Sequence, residues 1–100
     1  MKLELTGYAQ YQLRRILAYY LALGSSKRGQ EIVNEILDRA SDLLTNPGLG
    51  PLEENLAELG EGHRSLLVGR LHKIVYLITP TAIYVTDVFD VRQDPDTMRP

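Results

Sequence analysis

Cysteine is absent from this chain of 100 residues. The protein can therefore form no disulfide, no cysteine-based metal site and no thiol nucleophile, and a chain of this kind is typical of the reducing cytoplasm. Long apolar runs are absent too. Residues 1–5 contain no apolar signal core, and no stretch approaches the length of a membrane span. We therefore expect a cytoplasmic protein with no membrane partner.

The chain also lacks a strong excess of either charge. Its 11 Lys and Arg residues and 13 Asp and Glu residues give a formal net charge of −2, which argues against indiscriminate binding of nucleic acid. The glycines lack the spacing and the following lysine of a phosphate-binding P-loop. The two histidines, His63 and His72, lie nine residues apart, and no cysteine is available to join them in a metal site. We expect no metal and no bound cofactor.

The residues that are present predict one domain over residues 1–100 with one modest core. A composition of 44% apolar and 24% charged residues is typical of a globular chain. The alternation in residues 2–5 predicts a short strand. Thr6 is a candidate cap for a helix over about residues 8–23, and Gly24 is well placed to end that helix in a left-handed conformation.

A second amphipathic helix is the clearest pattern in the sequence. Its apolar stripe recurs at helical spacing and consists of Ile32, Val33, Ile36, Leu37, Ala40, Leu43 and Leu44. The run 46–48, Asn-Pro-Gly, ends this helix. Since the connection between the two helices is short, we expect an antiparallel helical hairpin. Residues 46–62 are rich in Pro and Gly and predict a long structured loop with a short helix at about 53–59.

Three strands are predicted after this loop, at about residues 63–68, 71–78 and 82–90, with turns at 68–70 and 79–81. The fold class is therefore α+β, with an N-terminal strand, an antiparallel two-helix hairpin and a three-stranded antiparallel meander. Both faces of the middle strand become apolar after its first residues, so this strand is expected to be central and buried. Tyr76, in the middle of it, is expected to be structural.

The strands carry the candidate chemistry. Arg64, Lys73 and Arg92 could stabilise the negative charge that builds on the phosphorus when RNA is cleaved by attack of a 2′-hydroxyl. The candidate acids and bases for the proton transfers are His63, His72 and Asp90. Strand alternation puts His72 and Lys73 on opposite faces, so we expect them not to serve the same site. The alternative interpretation of these cations is a set of solvated surface charges.

Three runs of the sequence resemble the RelE/ParE superfamily, the toxins (plasmid stabilisation proteins) of type II toxin–antitoxin systems. The runs are 64–70, 72–76 and 83–95, and they follow a helical hairpin that ends in Asn-Pro-Gly. The resemblance covers nearly the whole chain and implies a small α+β toxin that an adjacently encoded cognate antitoxin neutralises. We expect the antitoxin to cover part of the apolar stripe between Val33 and Leu44 and to place an acidic group near the cations.

The superfamily divides by target. Resemblance to its RelE-like members implies a metal-independent mRNA endonuclease, or mRNA interferase, which inhibits translation and has the ribosome and mRNA as partners. In that case Arg64, Lys73 and Arg92 would be the phosphate-binding cations. Members of this branch place an acid/base tyrosine in the tail, whereas the tail here reads Met98-Arg99-Pro100. The interferase is the expected function; the alternatives are non-enzymatic inhibition of DNA gyrase, as in ParE-like members, and an inactive or regulatory antitoxin partner.

Overall fold

The amino-terminal half forms a strand followed by two helices. In the computed structural model, which describes residues 1–100, these elements are β1 (Lys2–Leu5), α1 (Gly7–Ala22) and α2 (Ser26–Asp42). The hydroxyl of Thr6 caps α1 by accepting a hydrogen bond from the amide of Ala9 at 3.1 Å, and Gly24 follows α1 with φ of +73°. Both predictions are confirmed, because each depends only on local chemistry. Neither helix is long and apolar enough to cross a membrane.

The carboxyl-terminal half supplies three strands that join β1 in one sheet. They are β2 (Arg64–Val68), β3 (His72–Ile78) and β4 (Ala82–Asp90). The strand order is β1-β4-β3-β2. The three later strands form the predicted antiparallel meander, whereas β1 pairs in parallel with β4. The α+β class and its element order are therefore confirmed, and β3 is central as expected.

The main core lies between the helical hairpin and one face of the sheet. It includes five residues of the α2 stripe and residues from three strands: Ile32, Val33, Ile36, Ala40, Leu43, Leu66, Ile74, Tyr76, Ile83 and Val88. Only Leu37 and Leu44 of that stripe stay exposed, at 37% and 42%. The part of the stripe that an antitoxin could still cover is therefore limited to these two side chains, because the sheet already covers the other five.

The other face of the sheet is covered by the long loop and the tail. Val75 and Phe89 point to this side, where they pack with Leu56 and Met98. Leu56 belongs to a 3-10 helix at Glu54–Leu59, close to the short helix predicted in the loop. Met98 follows a single 3-10 turn at Pro95–Thr97. The second, smaller core therefore depends on two segments without long regular structure.

A β-bulge interrupts β4. Val75 pairs with Asp87, whereas the next residue, Tyr76, pairs with Val85, which leaves Thr86 as the extra residue. Asp87 is fully buried beside this bulge. Its carboxylate accepts hydrogen bonds from Nε2 of Gln12 in α1, at 3.2 Å, and from the amide of Arg99 in the tail, at 2.9 Å. One buried carboxylate thus connects α1, β4 and the tail.

Candidate functional site

Arg64, the first predicted cation, lies at the start of β2 and anchors the long loop. Its Nη1 donates to the carbonyl of Gly50 at 2.8 Å. Its register partner on β3, Tyr76, is fully buried. The Tyr76 hydroxyl donates to the carbonyl of Pro47 at 2.7 Å and accepts from the amide of Gly50 at 2.9 Å. Burial raises the pKa of Tyr76, and these contacts confirm that it is structural.

Gly50 shows how closely this loop approaches the sheet. A Cβ atom built at this position would lie 2.3 Å from the carbonyl oxygen of Ser65, so no other residue fits without a shift of the backbone. The guanidinium of Arg64 therefore faces a packed loop rather than an open phosphate site.

Lys73, the second predicted cation, lies on the opposite face of the sheet. Its Nζ is 3.0 Å from Oε1 of Glu53. The Glu53 carboxylate also accepts hydrogen bonds from the hydroxyl of Ser65 at 2.8 Å and from the amide and side chain of Asn55 at 2.9 and 2.8 Å. Burial raises the pKa of Glu53, but these hydrogen bonds outweigh it and lower the pKa to about 2. The charge of Lys73, whose side chain is partly exposed, is thus neutralised by a buried carboxylate.

His63, a candidate acid or base, is buried beside this network and is only 4% exposed. Its carbonyl accepts a hydrogen bond from the amide of Glu53 at 2.9 Å, and its Nδ1 has no hydrogen-bond partner. Position 63 precedes β2 at the end of the sheet where Arg64 pairs with Tyr76. Asp90, the other candidate, ends β4 and pairs in register with His72 at the opposite end of β3, so the structure does not bring the two together.

Arg92, the third predicted cation, follows β4 and pairs with Asp90. Its Nε and Nη2 donate to Oδ1 and Oδ2 of Asp90 at 3.1 and 2.7 Å. The hydrogen bond from the Arg92 side chain lowers the pKa of Asp90. His72 is the register partner of Asp90 on β3, and burial lowers the pKa of His72 although the nearby Asp90 opposes this shift. Arg92, Asp90 and His72 therefore form one polar group.

The predicted cations as a set occupy three separate places. Arg64 pairs in register with Tyr76, and His72, beside Arg92, lies four residues earlier on β3, which corresponds to about 13 Å along the strand. Lys73 is on the other face, as strand alternation predicts. The structure thus assembles Arg92, Asp90 and His72 and leaves Arg64 and Lys73 as anchors of the 46–62 loop.

The Arg92 group opens into a concave surface at one end of the molecule. A cavity of about 250 Å³ lies between α1 and the adjoining ends of β3 and β4, and Arg15 and Tyr19 line it together with His72 and Arg92. A second cavity, of about 400 Å³, lies between α2 and the β2–β3 turn and includes Arg28 and Arg70. Tyr20 and His72 line both cavities, so the two adjoin.

Sequence reasoning did not single out Arg15 and Arg28 as functional residues. They lie on α1 and α2, and no local pattern tells which strand end a helix will meet. The one feature of the sequence that indicates how close these two helices lie is the tight turn at Gly24, which places the end of α1 beside the start of α2.

Comparisons with known proteins agree with this architecture. A family model described as "ParE toxin of type II toxin-antitoxin system, parDE" matches residues 3–95. Among solved structures, the chain is similar to one from the "Chromosomal ParDE TA system from P. aeruginosa", with 22% identity, a TM-score of 0.76, and coverage of 91% of this chain and 96% of that chain. At this level of identity the likeness concerns the fold. A comparison with curated proteins finds no match.

Proposed function

This chain belongs to the ParE toxins of type II toxin–antitoxin systems, and we propose that it acts in the cytoplasm as a non-enzymatic inhibitor of DNA gyrase. Such a system includes a cognate antitoxin, which is the partner of this chain. Inhibition of gyrase is one of the alternatives that the sequence left open, and we prefer it to the expected mRNA interferase.

The separation of the three cations is the observation that carries this proposal. A catalyst of phosphoryl transfer needs several donors preorganised around one phosphate. Here Arg64 and Lys73 lie on opposite faces of the sheet, and each contacts the 46–62 loop. Arg92 already makes a two-point pair with Asp90. This arrangement favours a toxin that binds its target over one that cleaves RNA.

The tail supports the same conclusion. It carries no tyrosine, and the guanidinium of Arg99 packs 4.0 Å from the ring centre of Tyr8. The tail backbone is also held, because the hydroxyl of Thr86 donates to the carbonyl of Arg99 at 3.1 Å. Residues 98–100 therefore carry no side chain that matches the acid/base tyrosine of the RelE-like branch.

The test is a comparison of two activities of the purified toxin. We expect it to inhibit DNA supercoiling by gyrase and to leave mRNA intact on translating ribosomes. The Arg92→Ala variant, altered at an exposed position, should retain inhibition of gyrase, because the proposal gives Arg92 no catalytic role. Cleavage of mRNA in the ribosomal A site that disappears in Arg92→Ala, with gyrase unaffected, would overturn the proposal in favour of the interferase.

A further inference from the structure

The sheet has two edges, of which the β1 edge is the more open. At the other edge, the 46–62 loop runs beside the start of β2. There the amide of Ser65 donates to the carbonyl of Pro51 at 3.0 Å, and the amide of Glu53 donates to the carbonyl of His63 at 2.9 Å. The β1 strand has β4 as its one neighbour in the sheet. A strand edge with unpaired backbone groups is a template for the addition of another strand.

The backbone of β1 directs half of its hydrogen-bonding groups towards this open edge. The amides of Lys2 and Thr6 both donate to carbonyl groups on the β4 side, at 3.3 and 3.0 Å. Because alternate residues of a strand bond to the same neighbour, the amides and carbonyls of Leu3 and Leu5 point away from β4. The carbonyl of Leu5 accepts a hydrogen bond from Nε2 of Gln10 at 3.0 Å. The amide and carbonyl of Leu3 therefore lie at the open edge, where a further strand can pair with them.

The side chains of β1 alternate between two environments. Leu3 and Leu5 are partly buried and pack against the main core. Lys2 and Glu4 point to the opposite face, and their side chains are 75% and 48% exposed. Nζ of Lys2 lies 3.9 Å from Oε1 of Glu4, and an exposed contact of this kind contributes little to stability. Both charges are therefore available to a neighbouring strand.

The order Lys-Leu-Glu is its own complement when two copies of the strand run antiparallel. With Leu3 opposite Leu3 of a second copy, each Lys2 faces Glu4 of the other chain, and a two-fold axis relates the two ion pairs. The two Leu3 residues then exchange two backbone hydrogen bonds, while Lys2 and Glu4 occupy the closer, non-hydrogen-bonded positions. Opposite charges that face each other across antiparallel strands stabilise the pair. The edge thus matches a second copy of itself in both hydrogen bonding and charge.

The neighbouring antiparallel registers are less favourable. A shift of two residues in one direction places Lys2 opposite Lys2 of the second copy, and a shift in the other direction places Glu4 opposite Glu4, and like charges destabilise such a pair. The second shift also directs the amide of Leu3 to the carbonyl of Leu5, which already accepts from Gln10. Charge therefore selects one register, with Leu3 at the two-fold axis.

We propose that β1 is a self-association edge, through which two copies of this chain pair antiparallel in one eight-stranded sheet. Because facing residues of the paired strands point to the same side, both helical hairpins lie on one side of this sheet. Two strands of four residues bury less area than the roughly 1,200 Å² of a stable interface, so we expect a weak dimer. This inference concerns the toxin alone and does not depend on gyrase as its target.

Sedimentation of the purified full-length toxin is the first test, over concentrations from about 1 μM to about 1 mM. We expect the wild type to change from monomer to dimer within this range. Lys2→Glu places carboxylates opposite carboxylates, and Glu4→Lys places ammonium groups opposite each other, so each variant should dimerise at least about tenfold more weakly. The double variant Lys2→Glu/Glu4→Lys restores opposite charges and should dimerise like the wild type, which also excludes a folding defect. A monomeric wild type, or dimers that none of these changes affects, would overturn the proposal.

A mixture of the two single variants tests the register directly. In this mixture each chain of one kind meets opposite charges on the other kind at both positions, so we expect heterodimers that are stronger than either homodimer. A mixture of Lys27→Glu with Glu58→Lys is the matched control. It contains the same net charges at exposed positions outside β1 and should not favour heterodimers. Equal association in both mixtures would show a general attraction of charge and would contradict pairing through β1.

Hydrogen exchange identifies the backbone groups that pair. The amide of Leu3 should exchange fast in the monomer and become protected as the dimer forms, whereas the amide of Thr6, bonded to the carbonyl of Val85 at 3.0 Å, should be protected in both states. A toxin that stays monomeric, with Leu3 protected only after the antitoxin is added, would assign this edge to the antitoxin and overturn the proposal. If gyrase is not inhibited, the proposed function fails, whereas sedimentation and exchange still decide the role of β1.

Discussion

The ammonium group of Lys73 lies 3.0 Å from Oε1 of Glu53, whose side chain is only 2% exposed. This pair joins the central strand to the loop between α2 and β2 across 20 residues of sequence. A lysine that the sequence pattern suggested for phosphate binding is thus a structural contact. Because the Glu53 carboxylate also accepts three other hydrogen bonds, its charge is well compensated although it is buried.

Glu53→Gln tests this network. The substitution keeps the size of the side chain but removes the charge that faces Lys73, so we expect the free energy of unfolding to fall by about 2 kcal/mol. Urea denaturation measures this change. Glu58→Gln, an exposed position in the same loop, is the matched control and should be nearly neutral. A similar loss in both variants would show that the buried network is not the cause.

The same carboxylate predicts a loss of stability in acid. The pKa of Glu53 falls from 4.5 to about 2 in the folded protein, so the unfolded chain takes up this proton more readily. The stabilisation is therefore complete above about pH 4.5 and is lost as the pH falls towards 2. Urea midpoints measured over this range should decline more steeply for the wild type than for Glu53→Gln. Parallel curves for the two proteins would contradict the assignment.

Tyr76→Phe tests how the loop is anchored. It removes the hydroxyl that contacts Pro47 and Gly50 and leaves buried backbone groups without a partner, so we expect a loss of about 2 kcal/mol. Hydrogen exchange should accelerate at the amide of Gly50, and urea denaturation measures the change in stability. Tyr84→Phe is the control, because the Tyr84 ring is 39% exposed and its hydroxyl makes no hydrogen bond. Slow exchange at Gly50 in Tyr76→Phe would contradict this role.

Met98→Ala tests the attachment of the tail. Met98 is 5% exposed and packs with Leu56, Val75 and Phe89, so its truncation should lower the free energy of unfolding by about 2 kcal/mol. Limited proteolysis should then cut the tail faster. Leu59→Ala removes an apolar side chain that is 47% exposed and should have a smaller effect. An unchanged rate of tail cleavage in Met98→Ala would show that this side chain does not hold the tail.

The elements that the sequence predicted are those set by local interactions. The cap at Thr6 and the turn at Gly24 each depend on a few neighbouring residues, and Gly69 adopts a φ of +62° in the turn predicted between β2 and β3. Strand alternation likewise placed His72 and Lys73 on opposite faces. These features follow from spacing and backbone preference, so they need no knowledge of the remainder of the chain.

The candidate site was much less predictable. Arg64, Lys73 and Arg92 all lie in or next to strands, but their separation follows from strand register and from the path of the 46–62 loop. Their partners are distant in sequence: Glu53 for Lys73 and the carbonyl of Gly50 for Arg64. Only Arg92 has a local partner, Asp90. The sequence therefore indicates that these cations lie in one sheet, but it does not indicate which of them are close enough to share a site.

The sequence by itself determined the class of the fold, the order of its elements, and the absence of disulfide and thiol chemistry, because periodicity, caps, turns and composition are local properties. Tertiary structure alone decided three further features. They are the parallel pairing of β1 with β4, the use of Arg64 and Lys73 as loop anchors, and the meeting of four arginines around two adjoining cavities. Each depends on contacts between residues far apart in sequence, and such contacts form only when burial of the core fixes how the elements pack.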